Sequence, residues 1–113
     1  MHELAITQSM LDLVLEQAGK AGAKEVGKIN LVIGEMTGVV EQCVQFYFSF
    51  LSRGTLAEGA ALSFTMVPTT ARCQGCARHF ELREFDWTCP YCQSDNMEIV
   101  AGKELFVESI EVE

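Results

Sequence analysis

Apolar residues recur at helical spacing in two parts of the chain. The first stripe contains Leu4, Leu11, Val14, Leu15 and Ala18, and the second contains Val40, Val44, Tyr47, Phe48 and Leu51. Such spacing is typical of an amphipathic helix. The pattern therefore predicts one helix over residues 4–18, ended by Gly19 and Gly22, and another over residues 40–53, ended by Gly54.

Two other segments alternate between apolar and polar residues, which is typical of strands with one covered face. The first covers residues 28–34 and has Ile29, Leu31 and Ile33 in one phase. The second covers residues 61–67 and has Leu62, Phe64 and Met66 in one phase, with Pro68 directly after it. Proline ends a strand because it lacks the backbone N–H that the ladder needs.

A third strand is predicted over residues 104–112, and its apolar phase changes along the way. Leu105 and Val107 have one phase, whereas Ile110 and Val112 have the other. A strand keeps the same face toward a core across such a change only when one extra residue is inserted. The pattern therefore predicts a β-bulge near Ser109.

The predicted order is helix, strand, helix, strand, a cysteine-containing insert, and strand. Two helices packed on one face of a three-stranded sheet form an α+β lobe. Residues 1–70 and 101–113 supply this lobe, and roughly eighty residues are enough for a modest core. Residues 71–100 hold four of the five cysteines and show neither period. A segment of roughly thirty residues usually needs a metal or disulfides to fold, so it is predicted to be a separate domain.

Composition and charge narrow the classes of function. The chain has 113 residues, of which 49% are hydrophobic and 21% are charged, as in a globular protein. Eight basic and sixteen acidic residues give a net charge of −8, which nucleic acids and anionic membranes repel. Residues 1–4 lack the basic start of a signal peptide, and no apolar run is long enough to span a bilayer. These features predict a cytoplasmic protein that binds neither nucleic acid nor membrane.

Four cysteines form two C-x-x-C pairs, Cys73 with Cys76 and Cys89 with Cys92, separated by twelve residues. Each pair can supply two thiolates to one tetrahedral ion, and two pairs complete a four-sulfur site. Zn²⁺ is the predicted metal, and iron in a rubredoxin-like site is the competitor. Four protein ligands leave no open position, so the predicted zinc is structural and the insert is a zinc ribbon.

Other residues around these pairs leave alternatives open. His79 lies between the pairs and could replace a cysteine ligand, although an exposed loop histidine is the favoured interpretation. A redox switch built from the C-x-x-C pairs is less favoured than metal, because two pairs occur at ribbon spacing. Gly75 and Pro90 suit tight turns that direct N–H groups at the sulfurs. Cys43 is predicted to be a buried, inert thiol, and no catalytic residue is predicted.

The amino terminus offers a second set of metal ligands. Methionine is normally retained before a bulky residue such as His2. The Met1 amine, the His2 amide nitrogen and the His2 imidazole can then close fused chelate rings, and Glu3 is a candidate for a fourth position. Three nitrogens in a plane suit Ni²⁺ or Cu²⁺. From the residues alone, an exposed terminal histidine is the simpler interpretation, with Glu3 favouring the first helical turn.

Several short motifs together resemble one family of proteins. They are Met1-His2-Glu3-Leu4 at the start of the first helix, Ile33-Gly34-Glu35 after the first strand, Gly54-Thr55 and Ala57-Glu58-Gly59-Ala60 before the second strand, and Ser109-Ile110-Glu111-Val112 near the end. With the two cysteine pairs, they make the whole chain closely resemble the hydrogenase nickel-incorporation proteins of HypA/HybF type.

The resemblance implies a nickel metallochaperone for nickel–iron hydrogenase maturation, which in some bacteria also serves urease. It implies that Ni²⁺, the cargo, binds weakly at the Met-His-Glu terminus, here His2 with Glu3 beside it, so that residues 1–70 plus 101–113 are the nickel-binding domain. It implies that structural Zn²⁺ in residues 71–100 is held by Cys73, Cys76, Cys89 and Cys92. The implied partners are a nickel-handling GTPase and the hydrogenase large subunit, and the family members are not enzymes.

Some relatives complete the nickel sphere with a further carboxylate or histidine. The turn before the second helix offers Val40 with Glu41 next to it, and the insert offers His79. Two rival functions without a nickel role remain open. One is a zinc-ribbon adaptor that binds another protein, and the other is a redox sensor that releases zinc when its thiols are oxidised.

Overall fold

The computed structural model describes residues 2–82 and 87–113 of the chain. Within them, the helices are α1 (Glu3–Lys20) and α2 (Glu41–Leu51), and a 3-10 turn at Glu35–Thr37 lies between the two. The strands are β1 (Val26–Gly34), β2 (Ala61–Val67), β3 (Thr70–Cys73), β4 (His79–Glu81), β5 (Met97–Ala101) and β6 (Leu105–Val112). Both predicted helices are present, as are the three predicted strands, which correspond to β1, β2 and β6.

β1 is the central strand of a three-stranded sheet with the order β2-β1-β6. β1 and β2 run parallel, which requires a crossover connection, and α2 supplies it. β6 returns antiparallel on the other side of β1. Two helices packed on this sheet form the α+β fold that the pattern of the sequence predicts.

The helices bury their apolar stripes against one face of the sheet. Ile29, Leu31 and Ile33, alternate residues of β1, are almost completely buried, as the period of two predicts. Their core also contains Met10, Leu11, Val14, Ala18, Val26, Val39, Val44, Phe48, Ala57 and Ala60. Each large apolar side chain contributes about 1.5–3 kcal/mol when it is buried. This core therefore holds the two layers together.

A β-bulge interrupts the pairing of β6 with β1. Asn30 pairs with Ser109, but the next residue, Leu31, pairs with Val107. Glu108 is consequently the extra residue on β6. The insertion lets both Val107 and Ile110 pack against the core, which confirms the bulge predicted near Ser109.

The end of α1 is a Schellman motif built around Gly22. Gly22 has a φ of +67°, and the N–H of Ala23 donates to the carbonyl oxygen of Ala18 at 3.0 Å. Glycine is favoured at this position because a left-handed backbone is strained for other residues. The predicted stop at Gly22 is confirmed, whereas Gly19 lies within the last turn of the helix.

The cysteine insert contains a second sheet, which the pattern of the sequence does not predict. Its order is β4-β3-β5, and both neighbours run antiparallel to β3. Strands of three to five residues are too short to display a clear alternation. Ala71, Phe80 and Leu82 form a small core with Cys73 and Cys89. The four-cysteine cluster and this sheet together are consistent with a zinc ribbon.

The two sheets are joined where Gly34 meets Gly102. The N–H of Gly34 donates to the carbonyl oxygen of Glu104 at 2.6 Å, and the N–H of Met36 donates to that of Gly102 at 2.8 Å. A Cβ atom at Gly34 would lie 2.1 Å from the Gly102 oxygen, so glycine is required for this approach of the two backbones.

Neither α1 nor α2, the helices of the described residues, has the length and apolar character needed to cross a bilayer.

Candidate metal centre

The first C-x-x-C pair lies on a tight turn that begins at the end of β3. The N–H of Cys73 donates to the carbonyl oxygen of Arg78 at 2.9 Å, and the N–H of Ala77 donates to that of Cys73, also at 2.9 Å. Ala77 has a φ of +61°, and this left-handed residue reverses the chain directly after Cys76. The two hydrogen bonds keep both sulfur-bearing residues on one side of the turn.

The second pair repeats this geometry with different side chains. The N–H of Cys89 donates to the carbonyl oxygen of Ser94 at 2.8 Å, and the N–H of Gln93 donates to that of Cys89 at 2.8 Å. Gln93 directly follows Cys92 and has a φ of +63°. A left-handed backbone costs a non-glycine residue about 1–2 kcal/mol. The hydrogen bonds of each turn, together with a bound metal, would offset that cost.

Backbone N–H groups inside each turn point at the first sulfur of its pair. The nitrogens of Gly75 and Cys76 lie 3.3 and 3.5 Å from Sγ of Cys73. The nitrogen of Tyr91 lies 3.4 Å from Sγ of Cys89. Such hydrogen bonds favour the thiolate over the thiol. Gly75 therefore acts as a donor, and the left-handed position of its turn belongs to a different residue.

The four sulfur atoms meet between the two turns. All four lie within 4.8 Å of one another. Sγ of Cys73 is 3.4 Å from Sγ of Cys92, and Sγ of Cys76 is 3.7 Å from Sγ of Cys89. Zn–S bonds of about 2.3 Å place tetrahedral sulfurs roughly 3.8 Å apart. The cluster therefore fits a structural Zn²⁺ site, and the bound ion would supply folding free energy that a lobe this small lacks.

Hydrogen bonds, burial and neighbouring sulfurs shift the pKa values of Cys73, Cys89 and Cys92 in different directions. The backbone N–H of Cys76 is the main reason why the pKa of Cys73 is lowered to about 6. Burial raises the pKa of Cys89, but backbone N–H groups outweigh it and the net shift is downward. The N–H of Ser94 favours the thiolate of Cys92, yet the sulfur of Cys73 and burial raise its pKa to about 12. The pKa values of Cys73 and Cys89 are therefore lowered, whereas that of Cys92 is raised.

The surface of this lobe brings two side chains from opposite turns together. The guanidinium carbon of Arg78 lies 4.7 Å from the centroid of the Tyr91 ring, and this cation–π contact links the turns.

The candidate ligands differ in exposure. Cys73 and Cys89 are buried, whereas Cys92 is exposed. The side chain of His79 is exposed on β4 and does not belong to the four-cysteine group.

His2 occupies a very different position, directly before the first turn of α1. It is the N-cap residue, and its carbonyl oxygen accepts a hydrogen bond from the N–H of Ile6 at 3.1 Å. The imidazole is exposed. The carbonyl oxygen of Glu3 accepts a hydrogen bond from the fully buried hydroxyl of Thr7 at 2.6 Å, which fixes the first turn. Met1, whose amine is the third predicted nickel ligand, lies outside the described residues.

Ile6 in the first turn of α1 and Val44 in the first turn of α2 line one groove. The starts of the two helices therefore lie near each other. Val40 is the N-cap residue of α2, and the half-buried Glu41 is its first residue.

The fifth cysteine, Cys43, is half-buried, so its thiol is less covered than the sequence predicts. Apart from the four cysteines, no group of three or more His, Cys, Asp or Glu side chains comes together as metal ligands in the described parts of the chain.

A two-layer α+β lobe with an inserted four-cysteine lobe defines the protein as a small zinc-ribbon metalloprotein. A family profile described as "Hydrogenase/urease nickel incorporation, metallochaperone, hypA" matches residues 1–112. The "Hydrogenase maturation factor HypA" of Dehalococcoides mccartyi is 45% identical over 113 residues, which cover 100% of this chain and 95% of the relative. That of Caldanaerobacter subterraneus subsp. tengcongensis is 44% identical, with 100% of both chains covered. The chain belongs to the HypA family.

Solved structures agree with this assignment. The solution structure of the Ni metallochaperone HypA from Helicobacter pylori has a TM-score of 0.67 and 25% identity, and covers 99% of this chain and 97% of that one. A second solution structure of a HypA protein has a TM-score of 0.73 and 25% identity, and covers 99% and 96%. The similarity therefore extends over both lobes.

Sequence reasoning missed the two left-handed residues that close the metal-binding turns. Glycine or asparagine normally marks such a position, but Ala77 and Gln93 occupy it here. The signal that could have located them is the repeat of the pair itself, since each residue directly follows the second cysteine. The contact between Arg78 and Tyr91 has no sequence signal, because it depends on how the two turns face each other.

Proposed function

We propose that this protein binds Ni²⁺ at its amino terminus and delivers the ion for maturation of nickel–iron hydrogenase. The imidazole and amide nitrogens of His2 and the amine of Met1 would bind the ion, with the carboxylate of Glu3 as a further candidate. The observation that carries the proposal is the exposed N-cap position of His2 in a chain of the HypA family. The Helicobacter pylori relative is itself described as a Ni metallochaperone.

The geometry at His2 suits a metal that must later be released. The N–H of an N-cap residue is not used by the helical ladder, so its deprotonation breaks no helical hydrogen bond. The positive end of the α1 dipole opposes a bound cation by about 0.3–1 kcal/mol. Binding displaces protons from the nitrogen ligands, so the affinity for Ni²⁺ should rise with pH. These features favour loose binding from a fixed position.

We infer that the zinc lobe is structural and that the protein is not itself an enzyme. The proposed partners are a nickel-handling GTPase and the hydrogenase large subunit. Urease, which the family description also names, is a second recipient to test. The proposed setting is the cytoplasm, where the five free thiols would stay reduced.

Calorimetric titration of Ni²⁺ into the untagged, zinc-loaded protein tests the proposal. Replacing His2→Ala removes the imidazole and is expected to weaken binding by at least about tenfold, since one strong ligand is lost. His79→Ala is the matched control, because His79 is the other histidine of the chain and its side chain is also exposed. It should leave the affinity unchanged. Equal affinities of wild type and His2→Ala would remove the nickel role and favour an adaptor or a redox sensor.

Three further variants test the remaining candidate ligands. A short extension before Met1 blocks the free amine, so it should weaken binding if that amine is a ligand. Glu3→Gln keeps the shape of the side chain and removes its charge. A weaker affinity in Glu3→Gln, with an unchanged one in Glu41→Gln, would assign the fourth position to Glu3, and the reverse would assign it to Glu41.

A further inference from the structure

We propose that the groove between α1 and β6 is a docking site for an extended segment of a partner protein, in which Lys or Arg alternates with apolar residues. The groove has a volume of about 360 Å³, and Ala5, Ser9, Leu13, Leu105, Phe106 and Val107 form its two sides. Peptide docking there requires neither Ni²⁺ nor the side chain of His2.

β6 gives this groove the edge of a sheet as one wall. The strand order β2-β1-β6 places β6 at the end of the sheet. Within the described residues, no other strand pairs with its outer side. Residues Leu105–Val112 therefore offer a row of backbone N–H and C=O groups to an added strand. Strand addition of this kind supplies affinity through main-chain hydrogen bonds, and side-chain pockets supply specificity.

The size and the lining of the groove suit a short extended segment. Ala5 and Leu13 are eight residues apart, which is about 12 Å along a helix axis. That length equals roughly four residues of a strand, two of which face the same side. Leu13, Leu105 and Phe106 are 45%, 41% and 50% exposed. Such large apolar side chains on the rim would be covered by the apolar residues of the docked segment.

The charge along β6 favours a basic partner for the added strand. Glu108, Glu111 and Glu113 lie on or directly after β6, and Glu104 directly precedes it. Glu108 is the extra residue of the bulge and is exposed. Lys28 lies 3.9 Å from one carboxylate oxygen of Glu111, and both side chains remain largely exposed. Opposite charges on neighbouring strands stabilise their pairing, and like charges oppose it.

The same glutamates argue against a second copy of the chain as the occupant. Two β6 strands paired about a two-fold axis would bring Glu108 and Glu111 of one copy close to those of the other. Each copy also carries a net charge of −8. Charged residues on edge strands commonly prevent such self-association, so a basic segment from a different protein is the occupant that the surface favours.

A pair of synthetic peptides tests this proposal on the full-length, zinc-loaded protein. One is an end-blocked octapeptide that alternates Lys and Val, and the other alternates Glu and Val. The Lys peptide should bind at least about tenfold more tightly in fluorescence anisotropy, and raising the ionic strength should weaken it. Its amide chemical-shift changes should be confined to α1 and β6. Equal binding of both peptides, or changes centred on other residues, would overturn the proposal.

Charge reversals separate the local effect from the net charge. Glu108→Lys should weaken the Lys peptide by about fivefold or more, because the reversed charge lies beside the docked strand. Glu58→Lys changes the net charge equally on an exposed residue outside the groove, and it should have less than about half that effect. Equal losses would overturn the proposal, as would a dimer that the Lys peptide dissociates. His2→Ala should bind the peptide normally, so failure of the nickel role and failure of this site are distinguishable.

Discussion

The zinc site and the proposed nickel site differ in how the chain supplies their ligands. Four sulfurs from two separate turns surround the first site, and Cys73 and Cys89 are buried. The proposed ligands of the second site come from consecutive residues before α1, where His2 is exposed. An ion enclosed by distant parts of the chain leaves only when the lobe opens, whereas an ion at the terminus leaves without any change in fold. The positions of the ligands in the chain would thus favour retention of zinc and release of nickel from the proposed site.

The backbone groups around the zinc site and the proposed nickel site also differ. N–H groups of the two turns stabilise the sulfurs of Cys73 and Cys89, so the local backbone favours a bound cation. At His2, the end of α1 presents its positive pole and disfavours a cation. The backbone would therefore strengthen the zinc site and weaken the proposed nickel site, as expected for a resident metal and a transferred one.

Removing zinc should produce the largest effect. Extraction by a strong chelator is expected to unfold residues 71–82 and 87–100, because structural zinc contributes an apparent free energy of roughly 10–16 kcal/mol to such lobes. The small core around Ala71, Phe80 and Leu82 cannot replace that contribution. The check is an NMR spectrum in which amide dispersion is lost for the insert and kept for α1, α2 and the first sheet. Cooperative collapse of both regions would contradict the proposed division at residues 71–100.

The next largest effect is expected at Phe48, in the core of the larger lobe. Phe48 is 2% exposed, and Phe46 on the same helix is 64% exposed. Phe48→Ala should lower the free energy of unfolding by about 3–5 kcal/mol. Phe46→Ala should cost about 1 kcal/mol or less, from its ring contacts with Tyr47 and Phe50. Denaturant titration gives both values, and comparable losses would contradict the core described here.

Gly34→Ala tests the junction between the two sheets. The added Cβ would lie 2.1 Å from the Gly102 oxygen, so the backbones must separate, at a cost of about 3 kcal/mol. Hydrogen exchange at the amide of Met36, which bonds to Gly102, should become faster. Gly19→Ala is the matched control, since nothing lies within 4 Å of its Cβ position. It should stabilise α1 by about 0.5–1 kcal/mol.

The smallest expected effect is at the left-handed residues of the metal-binding turns. Ala77→Gly removes the strain of a φ of +61° and should stabilise the zinc-loaded lobe by about 0.5–1 kcal/mol. Zinc transfer to a competing chelator should then be slower. Gln74→Gly, in the same turn, relieves no left-handed residue and should accelerate the transfer or leave it unchanged. Faster loss in Ala77→Gly would show that the turn is not strained.

Long elements of the fold were predictable because they repeat a period several times. α1 and β1 show this clearly, and even the bulge at Glu108 follows from a change of phase in β6. The second sheet was not predictable, since β3, β4 and β5 have at most five residues each. Pairing between short strands depends on tertiary contacts that no local pattern records.

The zinc site and the proposed nickel site also differ in how far the sequence alone predicts them. Spacing alone indicates the sulfur cluster, because two C-x-x-C pairs separated by twelve residues are typical of a structural zinc site. His2 and Glu3 form no repeated pattern, and their proposed role depends on the family to which the whole chain belongs. Only the structure adds that His2 is an N-cap residue with an exposed side chain.

Nickel K-edge X-ray absorption on the zinc-loaded protein with one equivalent of Ni²⁺ tests whether His2 binds the ion. A nickel site at His2 predicts outer-shell imidazole scattering in the wild type and in His79→Ala, and its loss in His2→Gln. Imidazole scattering that persists in His2→Gln, or sulfur scattering from the cysteine cluster in the wild type, would contradict a nickel site at the amino terminus.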